Sequence, residues 1–359
     1  MRFSAPYRAP YLALVIALTV APNALRAADE AAQAPLFASH EPLDLTLAAD
    51  WRQLINDRAA DPEERPATLR VGDATYAVKL KPRGKSRRRK DYCRFPPLWL
   101  DLPKSKVANG VFAVQNKLKV VTHCTRLGST GARGVDQVWS EYLLYRVLNL
   151  LTEYSFSVRP LQVTYAARDG DGAIGEAVAT HPAFVIEHKS RLAQRLGLEA
   201  FETAKVPIER LDSAHASTTS LFQYFAGNTD FSLTAGPPGD DCCHNVVPLR
   251  NTSGQVFSVA YDFDSTGFVD PPYGEPAPGL GLRQLSDRLF RGYCANREAL
   301  PAAVEAFAAQ RPGIDALIGD ATLPISDKKR RKLERFVAAF FETLDNPRLL
   351  QRRVLSKCR

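Results

Sequence analysis

The sequence predicts an α+β fold with two lobes, in which a strand-rich N-terminal part precedes a mainly helical C-terminal part. Short β-branched and aromatic runs recur between residues 43 and 187, as in strands. Apolar residues recur at helical spacing between residues 283 and 344. We therefore place the first lobe at residues 28–186 and the second at residues 187–359, with the most distinctive polar motifs in segment 221–268.

The first 27 residues are predicted to form a secretory signal peptide. Arg2 and Arg8 precede an apolar stretch that ends near Ala21, and Ala27 closes a small-residue cleavage motif. This stretch is too short for a permanent membrane anchor. We expect an exported protein, either periplasmic or secreted.

Charge favours anionic ligands without indicating a nucleic-acid binder. The signal segment carries three Arg and no acidic residue, so its removal lowers the formal net charge from +8 to +5. A dedicated nucleic-acid binder carries a stronger basic stripe, usually with interleaved aromatic residues for base stacking. Nucleic acid is therefore not an expected partner.

Six cysteines in an exported chain indicate disulfides. Cys93 and Cys124 each lie beside a predicted strand and are the first candidate pair; the remaining connectivity stays open. The chain has no C-x-x-C spacing, and the adjacent Cys242 and Cys243 suit tetrahedral zinc poorly.

In the first lobe, alternating or β-branched runs predict the strands and apolar spacing predicts two helices. The expected strands are 43–47, a hairpin over 69–80 turning at Gly72-Asp73, then 98–102, 111–122, 157–165 and 183–187; the expected helices are 51–56 and 135–152.

Two groups of charged residues in this lobe can be interpreted either as ordinary solvent-exposed residues or as functional ones. The run 81–90, which includes Arg83, is either a solvated loop or a Gly-containing loop that places cations over phosphates. Lys117 and Lys119 share one face of a strand, and Glu141 lies beside the apolar stripe of the next helix. Glu141 is either a surface residue or the helix partner of a phosphate-binding lysine, as in protein kinases.

In the second lobe we expect helices at 192–198, 283–294, 300–310 and 327–344, and a helix from about Leu221 that ends at Gly227. The turn after Gly227 contains Asn228 and Asp230.

Strand 256–261 ends on Asp262-Phe263-Asp264. Residues two apart on a strand share a face, so the two carboxylates are expected to point the same way. Such a pair is unfavourable unless a cation or solvent lies between the charges. Either the strand end is simply solvated, or a hard cation such as Mg²⁺ is held there.

The order of these motifs resembles the CotH family of atypical secreted kinases, which is related in layout to HipA-type kinases. The similar pieces are Arg83-Gly84-x-Ser86, the lysine strand, the helix with Glu141, the strand FVIE at 184–187, Asn228-x-Asp230, His244-Asn245 and Asp262-x-Asp264. The likeness covers roughly residues 80 to 270.

This resemblance implies a two-lobed kinase-like fold and transfer of the ATP γ-phosphate to a protein or small-molecule hydroxyl. It implies that Asp230, with Asn228 nearby, orients or deprotonates the acceptor. Lys117 (or Lys119), paired with Glu141, would hold the phosphates beside Arg83, and backbone groups near Glu187 would bind adenine. Asn245, Asp262 and Asp264 would hold Mg²⁺ or Mn²⁺.

Two other functions remain open at this level. The sequence VAYDFDST also matches the opening motif of haloacid-dehalogenase-type phosphatases, with Asp262 as nucleophile. Fewer than 100 residues follow it, however, and they read as helical. The second alternative is a non-enzymatic, disulfide-stabilised structural or interaction protein, such as a pseudokinase.

Overall fold

The structure, a computed structural model, describes residues 1, 34–103, 105, 107, 109–129 and 131–359. The signal peptide predicted at residues 1–27 lies, apart from Met1, outside the described residues. Strands and helices are both abundant in the described part of the chain, which confirms the α+β prediction.

The N-terminal strands close into a barrel with the order β1-β2-β3-β4-β5-β7-β6. Strand β1 pairs in parallel with β6, and the other neighbours are antiparallel. The barrel strands are β1 Leu43–Ala49, β2 Arg65–Val71, β3 Ala74–Pro82, β4 Leu98–Asp101, β5 Lys117–Val121, β6 Val158–Arg168 and β7 Ile174–Ile186. The hairpin β2–β3 turns at Gly72-Asp73, as predicted.

Alternation along the barrel strands separates a hydrophobic interior from a polar outer face. On β5, Leu118 and Val120 are buried in the barrel core, whereas Lys117 and Lys119 are only partly buried on the other face. Helix α1 (Trp51–Asn56) contributes Trp51 to the same core, where its Nε1 donates to the carbonyl oxygen of Ala166 at 2.7 Å.

A second hydrophobic core contains most of the helices and a small antiparallel sheet of β8 Glu199–Ala200, β9 Val246–Arg250 and β10 Val256–Ala260. The helices are α2 Ala132–Leu151, α3 Lys189–Arg195, α4 Ser213–Ala226, α5 Leu300–Gly319, α6 Asp327–Asp345 and α7 Pro347–Leu350. Strand β7 ends at Ile186, and the lobe boundary predicted between residues 186 and 187 stays a prediction.

Helix α4 ends at Gly227, as predicted, but it begins at Ser213 and not at the predicted Leu221. The Asp212 side chain accepts a hydrogen bond from the His215 amide at 2.7 Å and so caps the N-terminus. Gly227 follows the helix in the left-handed conformation, with φ +63°. The turn that carries Asn228 and Asp230 therefore starts at a defined position.

Two further sequence predictions about regular structure were wrong. Residues 283–293 form no helix; Arg288 and Arg291 in this segment instead donate to backbone carbonyl groups, including that of Phe225. The strand predicted at 111–122 is confined to Lys117–Val121, because residues 109–114 form turns and Val114 has φ +62°.

The six cysteines lie in pairs at disulfide distance: Cys93–Cys124, Cys242–Cys243 and Cys294–Cys358. The first of these is the pair expected from the sequence. Among the described residues, no helix is both long and apolar enough to cross a bilayer.

Candidate phosphate-binding cleft

A cleft of about 640 Å³ brings together residues that are far apart in the sequence. Its walls come from the outer face of strands β3 to β5, the loop after β3, segment 230–245 and the residues after β10. Six of the predicted site residues line it: Arg83, Lys119, Asp230, Asn245, Asp262 and Asp264. The other four, Lys117, Glu141, Asn228 and Glu187, are not among its lining residues.

The barrel side of the cleft carries a cross-strand row of cationic and aromatic side chains. Trp99 on β4 lies opposite Lys81 on β3 and Lys119 on β5. The Lys119 Nζ lies 4.0 Å from the ring centroid of Tyr261, and Arg83 lies 5.5 Å from that of Trp99. This wall presents two cations, Lys119 and Arg83, for which the described residues show no carboxylate within salt-bridge distance.

Of the two candidate lysines, only Lys119 faces the cleft. Lys117 Nζ instead lies 3.4 Å from Glu64. Burial, and then the positive charge of Arg83, lowers the pKa of Lys119 to about 7. An anion bound beside Lys119 would favour its protonated form.

The ion pair expected between Lys117 and Glu141 is not formed. Glu141 is buried on α2, and its Oε2 accepts from Arg87 Nη1 at 3.3 Å. Burial raises the pKa of Glu141, although the charge of Arg87 opposes the shift. Arg87 therefore takes the place that the sequence assigned to a strand lysine.

Arg87 is the central residue that sequence reasoning missed. Its guanidinium contacts three carboxylates: Glu141, Asp262 Oδ1 at 3.0 Å and Asp264 Oδ2 at 3.0 Å. Tyr273 also donates to Asp264 Oδ2, at 3.2 Å. Because Arg87 is only 7% exposed, its charge requires these partners. The acidic pair had implied a cation, and Arg87 supplies one.

The convergence of Asp262 and Asp264 has a different cause from the one predicted. Strand β10 ends at Ala260, and Asp262 has φ +64°, so strand alternation does not apply. Burial raises the pKa of Asp262, but the charges of Arg87, Arg83 and Lys119 outweigh it and lower the value. At Asp264 burial dominates and raises the pKa.

Asp230 lies on the opposite wall and is held by its neighbours. His244 Nε2 lies 2.7 Å from Asp230 Oδ1, and Asn245 Nδ2 lies 3.2 Å from Asp230 Oδ2. Asn228 is buried; its Oδ1 accepts from the Asp230 amide at 2.9 Å and its Nδ2 donates to Gln223. Asn228 thus shapes the turn and does not face the cleft.

Glu187, expected near an adenine site, is committed to the fold. Its amide donates to the Ser157 carbonyl oxygen at 2.9 Å. Its carboxylate accepts from the Ser157 amide and from Arg195. These contacts fasten the end of β7 to the start of β6, so neither the Glu187 amide nor its carboxylate is available to a base.

The expected metal ligands fit Mg²⁺ or Mn²⁺ in donor chemistry. Asp262, Asp264 and Asn245 all line the cleft and offer hard oxygen donors. One oxygen of each aspartate is already engaged by Arg87. Within the described ranges, no group of three or more His, Cys, Asp or Glu side chains is arranged to hold a metal ion.

A scan against models of known protein families and a search of curated proteins both found no match to this chain.

Proposed function

We propose that this protein is an exported, metal-dependent phosphotransferase with a two-lobed kinase-like fold. It would move the ATP γ-phosphate to a hydroxyl group of a protein or small-molecule acceptor. The observation that carries the proposal is the meeting of Lys119, Asp230, Asn245 and Asp262 in one cleft. They come from separate segments of the chain, so local sequence does not explain the meeting.

The phosphates would bind along the barrel wall. Lys119 and Arg83 offer the positive charge, and Lys119 takes up a proton when an anion approaches because its pKa is about 7. Phosphoryl transfer depends mainly on positioning and charge neutralisation, so few groups are needed.

Asp230 would orient the acceptor hydroxyl or accept its proton. The contacts from His244 and Asn245 fix the carboxylate in the cleft, which favours a defined direction of attack.

Asp262 and Asp264, with Asn245, would hold the cation. When bound, Mg²⁺ or Mn²⁺ neutralises charge on the β- and γ-phosphates.

Incubation with labelled ATP and either metal tests the proposal through autophosphorylation. We expect Asp262→Asn, which keeps the side-chain volume but leaves Arg87 with one carboxylate fewer, to abolish transfer while the protein stays folded at the assay temperature, with a lowered melting temperature. Asp44→Asn, on the exposed part of β1, is the matched control and should transfer normally. Transfer by Asp262→Asn at the parental rate would refute the metal assignment.

A pseudokinase is the second candidate, and one observation favours it. Arg87 holds the three carboxylates that a kinase would use for the metal and the lysine partner. A thermal shift with ATP and metal, without transfer to any acceptor, would support this candidate. The phosphatase alternative has one observation against it: Arg87 engages Oδ1 of Asp262, one of the two oxygens of the carboxylate that would have to attack.

A further inference from the structure

Arg87 lies on a short segment, residues 84–92, which we call the strap. We call the three side chains that Arg87 contacts, Glu141, Asp262 and Asp264, the acidic cluster. The strap leaves the barrel after Arg83, whose amide donates to the Pro97 carbonyl oxygen at 2.8 Å. It ends at Cys93, which is paired with Cys124. Both ends of the strap are therefore fixed to the barrel, and Gly84, with φ +90°, lies at its first bend.

Arg87 is the one residue of the strap that is buried, whereas its neighbours Arg89 and Lys90 are exposed. Arg89 pairs only with Asp91 on the strap itself, and both side chains are more than half exposed. Lys85 pairs with Asp240 at 2.6 Å near the surface, and Arg87 holds the strap in the cleft through its one buried charge, which contacts Glu141, Asp262 and Asp264.

A divalent cation at Asp262 and Asp264 would meet this guanidinium directly. Both cations require the same two carboxylates, and like charges at such short separation repel strongly where solvent is scarce. Simultaneous occupation is therefore unfavourable, and each cation lowers the affinity of the other.

We infer that Arg87 is a built-in competitor of the divalent cation, so that metal binding requires the strap to withdraw Arg87 from Asp262 and Asp264. The inference rests on the proposed function, because it takes these two residues as metal ligands. Once withdrawn, Arg87 is free to pair with the phosphates that arrive with the metal. The strap thus keeps one positive charge at the acidic cluster until metal and nucleotide are present.

Limited trypsin digestion of the parent protein tests the movement. The strap contains five residues after which trypsin can cleave: Lys85, Arg87, Arg88, Arg89 and Lys90. We expect Mn²⁺ to accelerate cleavage in the strap several-fold, with cleavage elsewhere as the internal reference. Mn²⁺ binding that leaves strap cleavage unchanged would overturn the inference.

Direct Mn²⁺ titration by calorimetry tests the competition. Arg87→Gln should bind Mn²⁺ about tenfold more tightly than the parent, or better, because no resident cation has to leave. Arg89→Gln removes the same charge from the strap without touching the cluster, and it should bind like the parent. Equal affinities of Arg87→Gln and parent would overturn the inference.

The two proposals fail in different ways. If neither the parent nor folded Arg87→Gln binds Mn²⁺ with or without ATP, the proposed function is wrong and the competition falls with it. If both bind Mn²⁺ equally, the proposed function stands and only the competition is wrong. If Arg87→Gln does not fold, the digestion of the parent protein decides.

Discussion

The imidazole Nε2 of His244 lies 2.7 Å from Oδ1 of Asp230, and both residues line the cleft. This hydrogen bond raises the pKa of His244, although burial opposes the shift. In the proposed reaction, His244 would act through Asp230 as a positioning residue. We expect His244→Ala to lower kcat about 10- to 100-fold while the KM for ATP changes little.

His244→Gln is the matched variant, because its amide can still donate to Asp230. It should recover part of the lost kcat. A His244→Ala variant whose KM rises while kcat is unchanged would contradict this role and would place His244 at the substrate instead.

The two lysines of β5 provide an internal comparison. Lys119 faces the cleft, whereas Lys117 contacts Glu64. We expect Lys119→Met to weaken ATP binding about 10- to 100-fold, as for loss of a charged hydrogen bond. Lys117→Met removes the same charge two residues away and should change affinity by no more than about twofold. Calorimetric titration with ATP and metal measures the affinity of each variant. A larger loss of affinity in Lys117→Met than in Lys119→Met would mean that the phosphates do not bind at Lys119.

Buried His215 predicts a loss of stability in mild acid. Burial lowers its pKa from 6.5 to about 4, although its contact with the Ser258 carbonyl opposes the shift. The unfolded chain therefore binds a proton that the folded chain refuses between pH 6.5 and pH 4. Stability is thus present above pH 6.5 and falls as pH drops through this window.

From pH 7 to pH 5 this residue should cost about 2 kcal/mol of unfolding free energy. His215→Gln keeps a donor for Ser258 but cannot titrate, so urea denaturation at the two pH values should show a smaller loss by about that amount. An identical pH dependence in both proteins would contradict the assignment.

Two glycines with the same φ angle allow the cost of backbone strain to be measured separately from the cost of side-chain crowding. Gly227 and Gly197 both have φ +63°, but a Cβ at Gly227 would lie 3.0 Å from Phe336 Cζ, whereas Gly197 has nothing within 4 Å. We expect Gly197→Ala to cost about 1 kcal/mol from the left-handed conformation alone. Gly227→Ala should cost about 2–3 kcal/mol, since crowding is added. Urea denaturation measures the loss of unfolding free energy in each variant. Equal losses would mean that the Phe336 side chain moves away from the new Cβ at no cost.

Features that depend on neighbouring residues were predictable. Gly227 was predicted as the end of helix α4 because a left-handed glycine acts within one turn of the chain. The start of this helix was predicted at Leu221, whereas it lies at Ser213, where Asp212 caps it. The Gly72-Asp73 turn, the outward face of Lys117 and Lys119 and the Cys93–Cys124 pair follow from similarly simple patterns. The helix predicted in segment 283–293 was wrong because the arginine side chains of this segment donate to carbonyl groups of residues far away in the sequence.

The sequence by itself determined which residue types could form a site: an acidic pair in need of a cation, a strand with two lysines and an Asn-x-Asp turn. Only the tertiary structure decided which cation meets the acids and which lysine faces the cleft. Arg87 stands in a run of similar cations, and its partners Glu141 and Asp262 lie 54 and 175 residues away. Which cation of the basic run becomes buried depends on such long-range contacts, and the local sequence does not reveal them.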